Sequence, residues 1–247
     1  MKKIVVFSLL LALACLWVNG QNNVIKANLT RLMTLKAEVA YERAFLKKFS
    51  SQTTFTYQIP SSKIPGTGKM FTDAFENSGI YDAKYNAYWI TQDFRFYLSP
   101  IKESPKGIYL SLFGRYSNRI LNMVFIDTLN NGRTFKTDGR ININGIGGGI
   151  MLGHQWIIAN RLSLDLYIIG LGYNKHTFKL KASSDEFTEQ EVRDAADEFN
   201  REVENAEDRP KWFSKPEATA DGKALIIKSN FLFPIIRSLG FNIGFAF

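Results

Sequence analysis

Apolar and polar residues alternate with a period of two over much of this chain. The stretch "NVIKANLT" sets Ile25, Ala27 and Leu29 against polar neighbours, and "KAEVAYER" and "SQTTFTYQI" repeat the alternation. A period of two is typical of a β-strand whose two faces meet different surroundings. The pattern therefore predicts three strands before the first long loop.

Five further strands follow that loop, which covers 60–86 and is rich in Gly, Pro, Ser and Asn. After it, "ITQDFRFYL" places Phe94 and Phe96 on one face and Asp93 and Arg95 on the other. The glycines of "IGGGIMLG" predict strong bending and a change of register. The remaining alternating segments, which bring the count to eight, lie at 108–126, 146–158, 162–180 and 224–247.

An even number of antiparallel strands joined by short and long connections in turn is the plan of an outer-membrane barrel. The segments "FLKK", "IKESPKG" and "ANR" are the expected short periplasmic turns. We therefore predict an all-β fold, an eight-stranded antiparallel up-and-down transmembrane β-barrel. A soluble lipocalin-like binding barrel with apolar faces turned inward is the leading alternative to a membrane protein, because period alone does not distinguish inside from outside.

The last strand carries the most apolar face of the chain. In "GFNIGFAF", the side chains of Phe241, Ile243, Phe245 and Phe247 share one side. If this strand pairs with the first and closes the sheet, that side becomes part of a lipid-facing wall. We expect the same strand to contact the barrel-assembly machinery.

One segment has helical rather than strand periodicity. Within "TEQEVRDAADEFNREVENAED", at 188–208, Thr188 and Glu191 fit a capping box, and Val192, Ala195 and Phe199 recur at helical spacing. We predict an acidic extracellular helix inside a loop insertion at 184–209. Its acidic face is interpreted as a solvated surface, since it lacks the spacing of an EF-hand.

The beginning of the chain predicts an export signal. Lys2 and Lys3 precede an apolar run, so we expect 1–20 to be removed and the barrel to occupy 21–247. Cys15 is the only cysteine. Two interpretations of it remain: a small residue inside the signal, or the lipidated first residue of the mature protein.

The net charge changes which partners we expect. Removal of Lys2 and Lys3 lowers the formal charge from +8 by two, and 11 of the 23 acidic residues fall between Asp185 and Asp208, so the remainder is strongly basic. An exported chain has little access to nucleic acid. Outer-membrane lipid and lipopolysaccharide, which carry anionic groups, are the predicted partners.

An eight-stranded barrel is just wide enough for side chains to fill its interior. We predict a structural plug of paired charges there, with a proton or solute path as the alternative, because unpaired charges would be costly. The inward-facing charged residues of this predicted network are Lys26, Glu38, Glu42, Asp93, Arg95, Arg115 and Asp165.

The candidate catalytic features are weak. "GIGGGIMLG" lacks both the G-x-G-x-x-G spacing and a following helix, so no phosphate-binding loop is predicted. A lipid-modifying barrel enzyme would need a base, and only His154 and His176 are available as histidine bases, with Ser183 and Ser184 near the latter. We therefore predict a non-enzymatic protein without cofactor or metal, and keep the lipid-modifying enzyme as the alternative.

A structural or surface-binding role in the envelope is the predicted function. Long loops could bind a surface glycan or another envelope protein through aromatic side chains, which are equally suited to interfacial girdles. The aromatic residues concerned are Tyr81, Tyr85, Tyr88, Trp89, Trp212 and Phe213.

Several segments, in this order, resemble the small outer-membrane β-barrel proteins of Bacteroidota gathered as DUF3575, a domain of unknown function. The similar segments are "NVIKANLTRLMTLKAEVAYERAF", "DFRFYLS", "GIYLSLFGRYS", "GGGIMLGHQWII" and "FPIIRSLGFNIGFAF". The family usually has a Glu-x-Arg pair where this chain has Asp93 and Arg95. The resemblance implies a barrel fold and an outer-membrane location, and it assigns no activity.

Overall fold

The computed structural model describes residues 22–59, 80–98, 105–128, 134–205 and 213–247. The predicted signal with Cys15, most of the first long loop and Trp212 lie outside the described residues, as does the side chain of Tyr81. Neither helix in the described segments combines the length and apolar character of a membrane-spanning helix.

Nine antiparallel strands and two helices make up the described structure. The helices are α1 (Leu29–Leu32) and α2 (Glu189–Asn205). The strands are β1 (Asn23–Asn28), β2 (Lys36–Leu46), β3 (Phe49–Gln58), β4 (Ile80–Tyr97), β5 (Gly107–Thr128), β6 (Thr134–Ile158), β7 (Leu162–Ser183), β8 (Glu217–Asp221) and β9 (Ala224–Ala246).

Eight of these strands form a closed ring. Each strand from β1 to β7 pairs with the next along the chain, β7 pairs with β9, and β9 pairs with β1. Ile25 of β1 lies opposite Phe245 of β9, so the first and last strands close the sheet as the sequence predicts. The strand β8 stands outside the ring and forms a hairpin with the first residues of β9.

Three strand boundaries differ from the prediction. The strand β4 begins at Ile80 instead of Ile90, and β6 begins at Thr134 instead of Ile146. The strand β8 was not predicted, and α1 replaces the end of the first predicted strand. The extensions of β4 and β6 place polar residues such as Lys84 and Asn142 outside and apolar residues such as Ala87 and Ile141 inside, so their alternation is opposite in sense to that of the predicted strands.

The two faces of the ring have opposite character. Phe94 is 55% exposed on the outside, while its neighbours Asp93 and Arg95 are buried inside. The strand β5 repeats this arrangement, with Leu110 and Leu112 exposed and Ser111 fully buried between them. At this level of the ring the interior is therefore polar, and the exterior is apolar.

The wall of the ring is uneven in height. The strands β1, β2 and β3 have 6, 11 and 10 residues, whereas β4 to β7 and β9 have between 18 and 25. Tight turns at Lys47–Lys48 and at 159–161 lie at the end of the ring that also holds the described chain ends. The long strands therefore project beyond the short ones at the opposite end, which we call the upper end.

The helix α2 packs beside β8 at the upper end. Its capping box is formed, since Thr188 N donates to Glu191 Oε2 (2.8 Å) and Glu191 N donates to Thr188 Oγ1 (3.2 Å). Val192 and Ala196 are buried, so Ala196 rather than the predicted Ala195 belongs to the packed face. The Asn200 amide donates to the Ala218 carbonyl oxygen and accepts from Ala218 N, both at 2.9 Å.

Glycines allow β6 and β7 to approach closely. A Cβ atom on Gly149 would overlap the carbonyl oxygen of Leu171, and one on Gly172 would overlap that of Gly148. The register of these strands shifts between Leu152 and Gly153, beside the glycine-rich stretch. The backbones therefore occupy the space that side chains would need.

We predict that Gly149→Ala lowers the thermal unfolding midpoint, because the added methyl group forces the two backbones apart. The matched control is Gly114→Ala, where no atom lies within 4 Å of an added Cβ. Circular dichroism of the refolded proteins measures both midpoints. Equal midpoints for the two variants would contradict the close approach.

Candidate functional site

The Lys26 side chain lies at the centre of the ring interior. Its Nζ contacts Glu42 Oε2 (2.5 Å) and Asp165 Oδ2 (2.7 Å). It also donates to Gln155 Oε1 (2.6 Å) and Gln52 Oε1 (2.9 Å). An ammonium group has three protons, so these four acceptors share them.

Arg95 completes the group of buried charges. Its Nη1 donates to Asp165 Oδ2 (2.9 Å) and lies 3.5 Å from Glu42 Oε2. The side chains of Lys26, Glu42, Arg95 and Asp165 are all fully buried. We call these four residues the charge quartet; with two cations and two carboxylates, it is formally neutral.

Tyrosine hydroxyls satisfy the remaining carboxylate oxygens. Tyr97 OH donates to Glu42 Oε1 (2.7 Å), and Tyr109 OH donates to Asp165 Oδ1 (2.8 Å). Ser50 Oγ also donates to Glu42 Oε1. The Arg95 guanidinium carbon lies 4.2 Å from the centroid of the Tyr109 ring. Each carboxylate thus has a cation and a hydroxyl as partners, which is the arrangement a buried charge requires.

A second ion pair lies beside the quartet. Arg237 Nη1 donates to Asp93 Oδ1 (3.1 Å), and Ser111 Oγ donates to the same oxygen (3.2 Å). The guanidinium carbon of Arg237 lies 5.0 Å from the ring centroid of Phe113 and 5.1 Å from that of Tyr167. This pair is also formally neutral.

The predicted network is therefore divided among levels of the interior. Asp93 pairs with Arg237 instead of Arg95, although Asp93 and Arg95 are two residues apart on one face. Glu38 accepts from Thr56 Oγ1 (2.7 Å) and lies 3.6 Å from Arg31 Nε. Arg115 Nε donates to Thr91 Oγ1 (3.1 Å), and no carboxylate of the described residues lies within 4.0 Å of Arg115.

Sequence reasoning missed Arg237 because the phase of β9 changes. Ile168 of β7 is left unpaired where the register with β6 shifts between Leu152 and Gly153. Beyond this bulge, β7 and its partner β9 turn the opposite set of alternate residues towards the interior. Counting every second residue back from Phe241 would place Arg237 outside. A charged residue inside the apolar run "FPIIRSLGF" is the signal that could have indicated an inward position.

The predicted apolar side of the last strand lies on the exterior. Ile243 is 37% exposed and Phe245 is 52% exposed, while Phe241 and Phe247 are less exposed. The Phe245 and Phe247 rings stack with centroids 6.4 Å apart.

The two histidines lie in different surroundings. His154 stacks on Trp156 with ring centroids 4.1 Å apart. His176 is buried against Phe231 and lies near Ser117, because a Cβ on Gly145 would be 2.6 Å from both Ser117 Oγ and His176 Nδ1. Ser117 is fully buried. Among the described residues, no group of three His, Cys, Asp or Glu side chains could hold a metal ion.

In a comparison with protein families, residues 5–196 match the family described as "protein of unknown function (DUF3575)". The chain belongs to the DUF3575 family. Neither the curated proteins nor the solved structures contain a match to this DUF3575 chain. The matched segment includes the whole charge quartet, whereas β8, β9 and Arg237 lie beyond it.

We predict that Lys26→Met destabilises this DUF3575 protein by about 3–5 kcal/mol, because one charge of the quartet would stay buried without its partner. Guanidinium unfolding of the refolded protein measures the change. The matched control is Lys228→Met on the exposed outer face, for which we expect a change within about 0.5 kcal/mol.

The double variant Lys26→Met with Asp165→Asn removes one cation and one carboxylate together. Its loss should be smaller than the sum of the two single losses, since the remaining pair of Glu42 and Arg95 is neutral. Additive losses would contradict the coupled quartet.

Proposed function

We propose that this DUF3575 protein is an eight-stranded outer-membrane β-barrel, exported by a signal at 1–20, with a non-enzymatic structural or surface-binding role in the cell envelope. The observation that carries the proposal is the inversion of its faces, with a charged interior and an apolar exterior. Exposed apolar surface on this scale is unfavourable in water and favourable in lipid.

The apolar exterior has the dimensions of a membrane core. Outward residues of β5 are apolar or aromatic from Ile108 to Tyr116 apart from Gly114, and those of β6 are mostly apolar from Ile146 to Ile158. At roughly 3.3 Å per residue and a tilt of roughly 40°, these stretches rise about 20 Å and about 30 Å. The apolar band of an outer-membrane barrel is about 25 Å tall.

Polar and basic groups follow this band at the upper end. Asn118 Nδ2 donates to Asn144 Oδ1 (2.6 Å), which forms a polar row above Tyr116. Beyond it, a groove of about 410 Å³ on the strand extensions is lined by residues that include Lys84, Arg140 and Lys181. Cations just above an apolar band suit the phosphates of lipopolysaccharide, the predicted partner.

The charge quartet supports a closed lumen. Its four side chains come from β1, β2, β4 and β7, so they bridge several walls of the ring, and all are fully buried. A solute path would need space that these groups fill. A soluble lipocalin-like protein would need the apolar faces inside, opposite to the arrangement at Phe94 and Asp93.

The first test is heat modifiability combined with membrane fractionation. The protein should be recovered in the outer membrane and should migrate faster on a denaturing gel before boiling, because a closed barrel stays compact in detergent. Recovery as a soluble periplasmic protein without a gel shift would overturn the proposal.

Planar bilayer recordings test the closed lumen. The unaltered protein should show little or no conductance. The fourfold variant Lys26→Ala, Glu42→Ala, Arg95→Ala, Asp165→Ala should conduct measurably, because it shortens all four side chains while leaving the net charge unchanged. A stable pore of porin size in the unaltered protein would contradict the plug.

A further inference from the structure

Charge in the ring interior is balanced at the middle and unbalanced towards the upper end. The charge quartet is neutral, and so is the pair of Asp93 and Arg237. Four cations lie above them. Among the described residues, Glu38 is the only carboxylate in contact with any of the four, and it contacts Arg31. We call these cations, Arg31, Lys36, Arg115 and Arg119, the basic cluster.

The fold brings the basic cluster together from three elements. Arg115 and Arg119 lie on the inner face of β5, where they pair with Thr91 and Ala87 of β4. Lys36 begins β2, and Arg31 lies in α1 just before it. Arg31, Arg115 and Arg119 all lie within electrostatic range of the Lys36 ammonium group. Like charges on neighbouring elements repel one another unless a counter-charge is present.

The described part of the chain supplies few partners for this charge. Arg31 has a single carboxylate contact, at 3.6 Å to Glu38. Arg119 Nε is buried without a hydrogen-bond partner in the described part of the chain. Within the charge quartet each cation contacts two carboxylates, although Arg95 Nε and Nη2 are likewise buried without a hydrogen-bond partner among the described residues. Cations left unpaired in a partly buried place lower stability, so their presence indicates a role other than folding.

A second observation points to a ligand at the same place. Ser117 lies between Arg115 and Arg119 on the inner face of β5, and its Oγ is fully buried without a partner among the described residues. His176 Nδ1 is also buried without a partner among the described residues. It lies close to Ser117 Oγ, because both atoms would be 2.6 Å from a Cβ atom at Gly145. The cations are less buried than the quartet, with the Arg31 side chain 28% exposed. A small ligand can therefore reach them from the upper end.

The interior wall next to the cluster is apolar. One row further from the quartet, Leu121 of β5 lies opposite Ile141 of β6, which lies opposite Leu180 of β7. Met123, two residues beyond Leu121 on the same face, is buried. A ligand held by the basic cluster would thus have an apolar surface directly above its charged group.

We propose that the basic cluster binds a phosphate group, and that the ligand carries an apolar portion that packs on the wall at Leu121, Ile141 and Leu180. Arginine forks match phosphate oxygens in geometry, and the charge of a phosphate monoester offsets most of the excess positive charge. Ser117 and His176 supply further polar contacts. The site adds a ligand to the proposed structural role and does not depend on membrane insertion.

The test uses the full chain in a non-ionic detergent and the fluorescence of Trp89, whose ring centroid lies 5.0 Å from Lys36 Nζ. Two probes with the same head group are titrated, inorganic phosphate and hexyl phosphate. Hexyl phosphate should bind more tightly, because only it reaches the apolar wall. Trp89→Phe should remove the signal.

Arg119→Gln should weaken binding of hexyl phosphate by about tenfold or more, since it removes one charged fork. Arg43→Gln is the matched control, because Arg43 is exposed on the outer face of β2 near the opposite end of the ring. Arg119→Lys keeps the charge and should give an intermediate affinity. Circular dichroism should show that Arg119→Gln folds at least as stably as the unaltered protein, as expected on removing an unpaired cation.

Three results would overturn the proposal. If neither probe shows saturable binding, the basic cluster does not bind phosphate. Equal affinity for the two probes would show that the apolar wall does not contribute to binding and that the site takes free phosphate. Undiminished binding by Arg119→Gln would place the site elsewhere. Each of these results is separate from the gel and fractionation test of the proposed function.

Discussion

The position of one ammonium group, that of Lys26, constrains the rest of the structure. It comes from β1, and its acceptors come from β2, β3, β6 and β7. A cation can stay buried only if the walls around it supply enough oxygen atoms. The interior around Lys26 must therefore be polar, and in a sheet of alternating faces that requirement turns the apolar residues of this level outward.

The ring closure and the interior network support each other. The strand β1 has only 6 residues, and it joins β2 to β9. Its backbone hydrogen bonds alone make a short ladder. Lys26 adds contacts to strands that β1 does not pair with, so the closing strand is held from the middle of the ring as well as along its edges.

Much of the fold could be predicted from the period of two. Alternation correctly indicated the inward faces of β1 to β3, the closure of the sheet and most of its strands. It failed where the outer face turns polar, at the beginnings of β4 and β6, and where a bulge reversed the phase before Arg237. A period reports two unlike surroundings without saying which of them is outside, so a reversal of polarity along one strand conceals its continuation.

The membership of the interior network could be predicted better than its pairing. Alternation assigns Asp93 and Arg95 to one face, but the two residues are separated by about 7 Å along the strand. Which strand residues share a level depends on strand stagger, and stagger is a property of the closed ring. Long-range pairs such as Arg95 with Asp165 therefore could not be read from local sequence.

The contact between Asn200 and Ala218 has a consequence for how molecules meet one another. The strand β8 pairs only with β9, and the free side of such a strand exposes amide groups that a second chain can join. The Asn200 side chain engages both backbone groups of Ala218, as a neighbouring strand would. The acidic helix α2 thus occupies backbone groups at this edge. A second copy of the protein therefore finds fewer free groups there for edge-to-edge pairing.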